Sequence, residues 1–157
     1  MIEAHRRYYS FSICPGFWQA VVRHHGAGQI CSIDRVFAEL TCSADTLGGW
    51  AKTGISPSFF QATSDAQVVA AYAKISRWVH GAAQYWPATK KQFLDGADPW
   101  LVAYCAARGC TLVTQEAPAP QARNKVPIPN VCQAFSVPTC NTFELLNRLP
   151  AAFSLSP

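Results

Sequence analysis

The alternation of short apolar runs with longer stretches of helical periodicity constrains this fold most. Apolar residues recur every three or four positions over residues 15–25 and 68–79, which predicts two amphipathic helices. Short buried-strand signals occupy residues 29–33, 111–114 and 137–140. Because strands that alternate with helices along a chain generally run parallel, the pattern predicts an α/β fold with a small parallel sheet.

Boundary residues predict where other elements begin and end. Asp98 followed by Pro99 predicts a helix start, because Asp is a good N-cap and Pro is tolerated in the first turn. Gly109 is expected to end that helix. The prolines within residues 118–129 predict an irregular loop, and Thr142 is expected to cap a last helix.

Composition predicts one globular domain. The chain has 157 residues, of which 50% are hydrophobic and 14% are charged. This balance excludes a disordered chain and predicts a single domain over residues 1–149 with a loose tail at 150–157. No apolar run reaches the roughly 18 to 20 residues of a membrane-spanning helix. Glu3, His5 and Arg6 lie where a signal peptide has its apolar core, so we expect a cytoplasmic protein without membrane association.

The seven cysteines are widely spaced and form no C-x-x-C pair. This spacing favours reduced and mostly buried thiols over a disulfide framework or a zinc site.

Three of the nine acidic residues fall where a parallel sheet would gather them. Asp98 lies at a predicted helix start, and Glu116 lies two residues past the strand signal at 111–114. Helix N-termini and strand C-termini share one edge of such a sheet, so these two residues should be neighbours. Glu39 can reach the same edge if the apolar face of its helix packs on the sheet. Carboxylates that converge without His or Cys suit Mg2+ or Mn2+.

Spacing alone leaves ordinary structural roles open, and these are the commoner case. Asp98 is explained as a helix cap, Glu116 as a loop acid and Glu39 as part of a solvated helix face. The histidines also have a structural explanation, because no two of them lie at ligand spacing. His24 and His25 fall at a helix C-terminus, where the helix dipole favours a cation.

Two clusters in the sequence mix cations with aromatic rings. Arg6 and Arg7 precede a pair of tyrosines, and Lys90 and Lys91 lie shortly after Trp86. Such a cluster can pair with RNA phosphates and stack on bases, or it can be a solvated helix end. The net charge of +4 is compatible with a nucleic-acid partner but does not require one.

A set of short motifs in a fixed order resembles a PIN-like family, an uncharacterised branch related to VapC-type toxin ribonucleases. The matching motifs cover nearly the whole chain and are IEAHRRYYSF (2–11), CPGFW (14–18), SIDRVFAEL (32–40), ADPWLVAY (97–104), TLVTQE (111–116), KVPIPNVC (125–132) and TFELL (142–146). The resemblance implies a three-layer α/β/α fold with a small parallel sheet. It places Glu39, Asp98 and Glu116 at the family's second, third and fourth acidic positions.

The sequence departs from the family pattern at its start. The resemblance implies an apolar strand, central in the sheet, that ends in Asp shortly before Ile2. Both that strand and the Asp are absent, and Glu3 follows the Asp in the pattern rather than replacing it. A misplaced start codon, a truncation or a degenerate copy would each explain the difference. We expect two neighbouring strands to face a gap, and enzymatic activity once the missing Asp is restored.

The activity that the resemblance implies is metal-dependent cleavage of RNA by the toxin of a bacterial toxin–antitoxin pair. Glu39, Asp98 and Glu116 would hold one or two Mg2+ or Mn2+ ions, which activate a water for in-line attack on a phosphodiester.

The expected partners are the RNA substrate and a cognate antitoxin protein, with a homodimer as a further expectation. Arg6 and Arg7 are expected to contact the RNA, and Thr114 is expected to orient a carboxylate or a phosphate. The main alternative is a truncated, catalytically inactive PIN-like protein that acts only by protein binding. A third reading is another metal-dependent α/β hydrolase that uses the same acids.

Overall fold

The computed structural model describes residues 9–149. These residues form eight α-helices, four two-residue strands and one 3-10 turn, so the chain has an α/β fold that is mostly helical. In chain order the elements are α1 (Pro15–Gly26), β1 (Ser32–Ile33), α2 (Asp34–Thr41), α3 (Thr46–Thr53), the 3-10 turn (Pro57–Phe59), β2 (Phe60–Gln61), α4 (Ala66–Gly81), α5 (Pro87–Asp95), α6 (Asp98–Arg108), β3 (Leu112–Val113), α7 (Ile128–Ala134), β4 (Thr139–Cys140) and α8 (Thr142–Arg148).

Contacts along the chain define two compact units. The first unit is described at residues 9–61 and 142–149, and the second unit comprises residues 62–141. The assignment of residues 1–149 to a single domain stays a prediction, and the predicted tail at 150–157 lies outside the described residues.

Each unit contains one parallel pair of strands, so the predicted parallel direction is confirmed, but the described strands form two sheets instead of the one predicted. In the first unit β1 pairs with β2, with Ser32 opposite Phe60. In the second unit β3 pairs with β4, with Leu112 opposite Thr139. Of the strand predicted at 29–33, only Ser32 and Ile33 form a strand, because only these two residues pair with β2.

The core of the first unit is aromatic at its centre. Helix α1 buries Phe17 and Trp18, whereas Val22, expected on the same face, is 40% exposed. Tyr9 stacks on Phe17 with ring centroids 4.3 Å apart, and Trp18 packs edge-on against Trp50 at 4.7 Å. The helix prediction for residues 15–25 is therefore confirmed, although its buried face centres on the aromatic residues.

The core of the second unit is aliphatic at its centre. On α4, the side chains of Val68, Ile75 and Val79 are fully buried, as the periodicity over 68–79 predicts. Helix α6 packs against α4 and contributes the fully buried Val102. The buried positions of α4 recur at helical spacing, so the sequence alone predicts which of its side chains are buried.

Helix boundaries follow the predicted chemistry in part. Gly109 ends α6 in the left-handed conformation at φ 66°, where a residue without a Cβ is favoured. Asp98 is the first residue of α6, and the cap position is occupied by Ala97, so Asp98 is not the predicted N-cap. The side chain of Asp65 caps α4 by accepting hydrogen bonds from backbone N–H groups.

One helix and one strand escape the sequence patterns. Helix α5 has the sequence PATKKQFLD, whose polar composition masks the buried Phe93. Strand β2 lies in the stretch 42–64, which is rich in Ser, Thr and Gly. Strand β2 has only two residues, too few to show alternation, and it exists because β1 supplies its partner.

All seven cysteines carry thiols rather than disulfides, as predicted. The expectation that most are buried is wrong, because only Cys105, Cys132 and Cys140 are buried, while Cys31 and Cys42 are exposed. Among residues 9–149, no helix is long and apolar enough to cross a membrane.

Candidate functional site

The three predicted acids divide between the two units. Glu39 lies on α2 in the first unit and is exposed. The apolar face of α2 packs as expected, because Leu40 is buried and Val36 and Phe37 contact the same core. Asp98 and Glu116 belong to the second unit, and both are partly buried.

Asp98 and Glu116 lie on consecutive elements of the second unit. Asp98 starts α6, Gly109 ends it in the left-handed conformation, and β3, which packs against α6, precedes Glu116. The 11 residues of α6 rise by roughly 16 Å, a length that five extended residues match. A chain that runs back along α6 from Leu112 would therefore bring Glu116 level with Asp98.

The Glu116 carboxylate is held by two protein donors. Its Oε2 atom accepts a hydrogen bond of 2.8 Å from the backbone N–H of Ile128, and its Oε1 atom pairs with the ammonium of Lys125. The N–H of Ile128 belongs to the first turn of α7, so the carboxylate satisfies a donor that has no partner within the helix. Glu116 therefore fixes the start of α7 to the end of β3.

Thr114 contributes to the same arrangement. Its Oγ1 atom accepts a hydrogen bond of 3.1 Å from the backbone N–H of Glu116, and its own N–H donates to the carbonyl of Cys140 at 2.9 Å. Thr114 thus orients the backbone of Glu116, which carries the carboxylate. The predicted contact of Thr114 with a phosphate stays a prediction.

The proline-rich loop between β3 and α7 is anchored by Asn130. The Oδ1 atom of Asn130 accepts from the N–H of Ala119 at 3.0 Å, and its Nδ2 atom donates to the carbonyl of Ala119 at 2.9 Å. Nδ2 also donates to the hydroxyl of the buried Tyr85 at 3.2 Å. From the other side, Gln84 donates to the carbonyls of Pro120 and Ala122. The loop is irregular, as predicted, but side chains hold it in place.

Gln115 adds an unsatisfied donor beside the acids. Its Nε2 atom is buried, and among residues 9–149 it is the one buried side-chain nitrogen or oxygen without a hydrogen-bond partner. A buried donor left unpaired costs about 1–3 kcal/mol. The Nε2 atom of Gln115, just past β3, can therefore donate a hydrogen bond to an added acceptor oxygen.

The described residues do not fit a divalent cation as they stand. The oxygen donors have the right chemistry, since hard cations prefer carboxylates. However, residues 9–149 contain no group of three or more His, Cys, Asp or Glu side chains placed to hold a metal ion. In addition, both oxygens of Glu116 are occupied by Lys125 and Ile128.

Two histidines singled out in the sequence have structural partners. The Nδ1 atom of His24 lies 2.6 Å from the Oε1 of Gln29, and the Nε2 atom of His25 lies 3.1 Å from the hydroxyl of Ser58. Both histidines lie in the last turn of α1, so their structural interpretation is supported. Arg6 and Arg7, expected to contact RNA, lie outside the described residues.

Reasoning from the sequence missed Lys125 and Asn130. Both residues lie in the motif at 125–132, which was recognised as a whole without a role for either side chain. The signal was present, because an Asn inside an apolar, proline-rich stretch needs hydrogen-bond partners when it is buried. The partners themselves lie at 85, 116 and 119, and sequence spacing does not reveal such pairings.

Comparison with known proteins gives one match. The model of a family described as a domain of unknown function, DUF4411, matches residues 1–153. No curated protein and no solved structure matches the chain.

Proposed function

The chain belongs to the DUF4411 family, and we propose that it is a metal-dependent endoribonuclease of PIN-like type, acting in the cytoplasm as the toxin of a toxin–antitoxin pair. The observation that carries the proposal is that Asp98 starts α6 and Glu116 follows β3, the next element of the same unit. Carboxylates gathered at the strand ends of an α/β fold are the usual setting for a hard cation and a phosphate ester.

The motif resemblance supports the same assignment. Each of the three acids lies at the point in the chain that the PIN-like pattern requires: Glu39 in the helix after β1, Asp98 at a helix start, and Glu116 just past β3. We propose Asp98 and Glu116 as ligands of Mg2+ or Mn2+ in the second unit, Glu39 as the family's second acidic position in the first unit, and a three-layer PIN-like fold for the chain. The family pattern adds an Asp on a strand before Ile2.

Lys125 sets a condition on this proposal. A cation at Glu116 has to displace the Lys125 ammonium, whose side chain is 58% exposed and can move into solvent at low cost. The unpaired amide of Gln115 is a further support, because an added strand or a phosphate oxygen would satisfy it.

A second candidate is a non-catalytic PIN-like protein that acts by binding an antitoxin or another protein. The observation in its favour is that both oxygens of Glu116 are engaged by Lys125 and by the start of α7. In this alternative the acidic residue is a structural clamp.

Cleavage of a labelled RNA distinguishes the two candidates. The chain is compared with a form that has an added apolar strand ending in Asp before Ile2, and the matched control ends the same strand in Asn. The proposal expects Mg2+- or Mn2+-dependent cleavage by the Asp form, no cleavage in EDTA, and loss of cleavage in both the Asn control and Asp98→Asn.

Thermal unfolding of each form checks that loss of cleavage is not loss of fold. Equal cleavage by the Asp form and its Asp98→Asn variant would refute the assigned site. Absence of cleavage by every folded form, together with tight binding to the product of a neighbouring gene, would favour the binding protein.

A further inference from the structure

A basic groove lies between the end of α4 and helix α5. It has a volume of about 470 Å³ and is lined by His80, Pro87, Lys90, Lys91, Leu94 and Asp95. Three of these side chains are cationic or can become so, and Asp95 is the acidic residue among them. The groove uses none of the acids proposed for cleavage.

The two lysines of the groove keep donors available for a ligand. Lys90 donates from Nζ to the carbonyl of His80 at 2.8 Å, near the carboxyl end of α4. Lys91 pairs with Asp95 one turn along α5, and their side chains are 77% and 61% exposed. Each ammonium has three donors, so these contacts leave donors on both lysines facing solvent.

Trp86 directly precedes Pro87, which lines this groove. It occupies the N-cap position of α5 and is 58% exposed. The other four tryptophans are buried or partly buried, and among residues 9–149 no aromatic ring stacks on Trp86. The N–H of Lys90 donates to the carbonyl of Trp86 at 3.0 Å, so the backbones of these two residues lie one helical turn apart.

The loop before α7 adds another cation at this end of α5. The backbone N–H of Trp86 donates to the carbonyl of Arg123 at 3.2 Å, and Arg123 is exposed. The exposed Trp86 and the exposed Arg123 thus lie on two segments that a backbone hydrogen bond joins. An exposed tryptophan ring gives up the stabilisation that burial of its large apolar surface would provide. Packing of the core therefore gives no reason for the exposure of Trp86.

We propose that this groove binds single-stranded RNA, with a base stacked on Trp86 and the adjacent phosphates paired with Lys90 and Lys91. Aromatic stacking combined with a row of cations is the usual way in which proteins hold a single strand without reading its sequence. An acidic peptide would use the cations, but it would not need the indole face. The inference goes beyond the proposed cleavage, because binding at this groove does not depend on Asp98 or Glu116.

Binding of a fluorescein-labelled ten-nucleotide oligouridylate, measured by anisotropy in EDTA at low salt, tests the groove. EDTA removes metal-dependent cleavage, so this result is independent of the proposed nuclease activity. Trp86→Ala is expected to weaken binding by roughly five- to a hundredfold, the range for loss of one stacked base. Trp86→Phe, which keeps an aromatic face, should lose less.

The lysine variants test the phosphate contacts. Lys90→Gln and Lys91→Gln should each weaken binding and lower the slope of log Kd against log salt by about 0.7. Lys52→Gln, on α3 in the first unit, is the charge-matched control and should bind as the unmodified chain does. The oligonucleotide should also quench tryptophan fluorescence, and Trp86→Phe should abolish that quenching.

Three results would overturn the proposal. One is no binding by the unmodified chain, and another is equal binding by the unmodified chain and a folded Trp86→Ala variant. The third is competition by polyglutamate as effective as that by unlabelled oligouridylate, which would assign the groove to an acidic protein segment.

Discussion

The two units of this chain are stabilised by different kinds of side chain. At the centre of the first unit, Trp18 contacts the rings of Phe11, Phe17 and Trp50 and donates from Nε1 to the carbonyl of Tyr9 at 2.8 Å. At the centre of the second unit, Val68, Ile75 and Val79 are fully buried against α6. Aromatic residues bring a large buried area with directional contacts, while branched aliphatic residues fill space densely.

Polar side chains also anchor segments of the second unit. In the second unit, side chains fix the irregular segments: Glu116 holds the start of α7, Asn130 holds the proline-rich loop, and Arg108 on α6 pairs with Asp65 at 3.1 Å. A well-packed frame with anchored loops is a suitable base for functional residues, because it holds them in one geometry. The candidate acids Asp98 and Glu116 and the basic groove all lie in this unit.

Truncating the central aromatic residue should have the largest effect. Trp18→Ala is expected to destabilise the chain by roughly 3–5 kcal/mol, because it removes a 3% exposed ring and its hydrogen bond to Tyr9. Ile75→Val, a conservative change that removes one methylene from the aliphatic core, should cost only about 1 kcal/mol. Urea unfolding measures both. A Trp18→Ala cost no larger than that of Ile75→Val would show that the aromatic cluster is not the centre of the first unit.

The polar anchor of the second unit should come next in size. Asn130→Ala removes three hydrogen bonds and leaves the Ala119 N–H without its protein acceptor, so we expect a loss of about 2 kcal/mol. Tyr85→Phe, which removes one of the three, should cost about 1 kcal/mol or less. The Asn130 variant should also become sensitive to protease within residues 117–127. An unchanged digestion pattern would mean that the contacts of Gln84, Trp86 and Lys125 hold the loop without Asn130.

The helix cap at Asp65 should make a smaller, pH-dependent contribution. The pKa of Asp65 is lowered, chiefly because its carboxylate accepts a hydrogen bond from the N–H of Gln67, with Val68 and Arg108 adding to the effect. A group with a lowered folded-state pKa stabilises the fold above its ordinary pKa of 3.8 and loses that effect as the pH falls through the folded value.

Comparison with Asp65→Asn isolates this contribution. At pH 7 the unmodified chain should have a Tm a few degrees above that of the variant. The gap should close as the pH falls below 3.8. A gap that stays constant down to acid pH would assign the effect to hydrogen bonding by either side chain, without a role for the charge.

Thiol reactivity should distinguish the two units without changing their stability. Cys31 and Cys42 in the first unit are exposed, whereas burial raises the pKa of Cys132 in the second unit to about 12. At pH 8 only about one Cys132 thiol in ten thousand is then ionised. Native alkylation followed by mass spectrometry should modify Cys31 and Cys42 first. Labelling of Cys132 at a comparable rate would show that the aliphatic core opens readily.

Much of the fold could be predicted where one local pattern decides the structure. The fully buried positions of α4 recur at helical spacing, and Gly109 marks a helix end by its own conformational freedom. Strand lengths could not be predicted, because pairing depends on a distant partner such as Phe60 for Ser32. For the site, Glu116 was located correctly past β3, but its bond to Lys125 depends on the path of a loop that no periodicity describes.

The central claim is that Asp98 and Glu116 form one cation site in which Lys125 competes with the cation for Glu116. Calorimetric titration with Mn2+ tests this claim most directly. Lys125→Met should bind Mn2+ up to about fivefold more tightly than the unmodified chain, since an exposed ion pair contributes at most about 1 kcal/mol. Adding Asp98→Asn to that variant should reverse the gain, and Lys52→Met should change nothing. Equal Mn2+ affinity in all of these proteins would contradict the claim and leave Glu116 as a structural clamp.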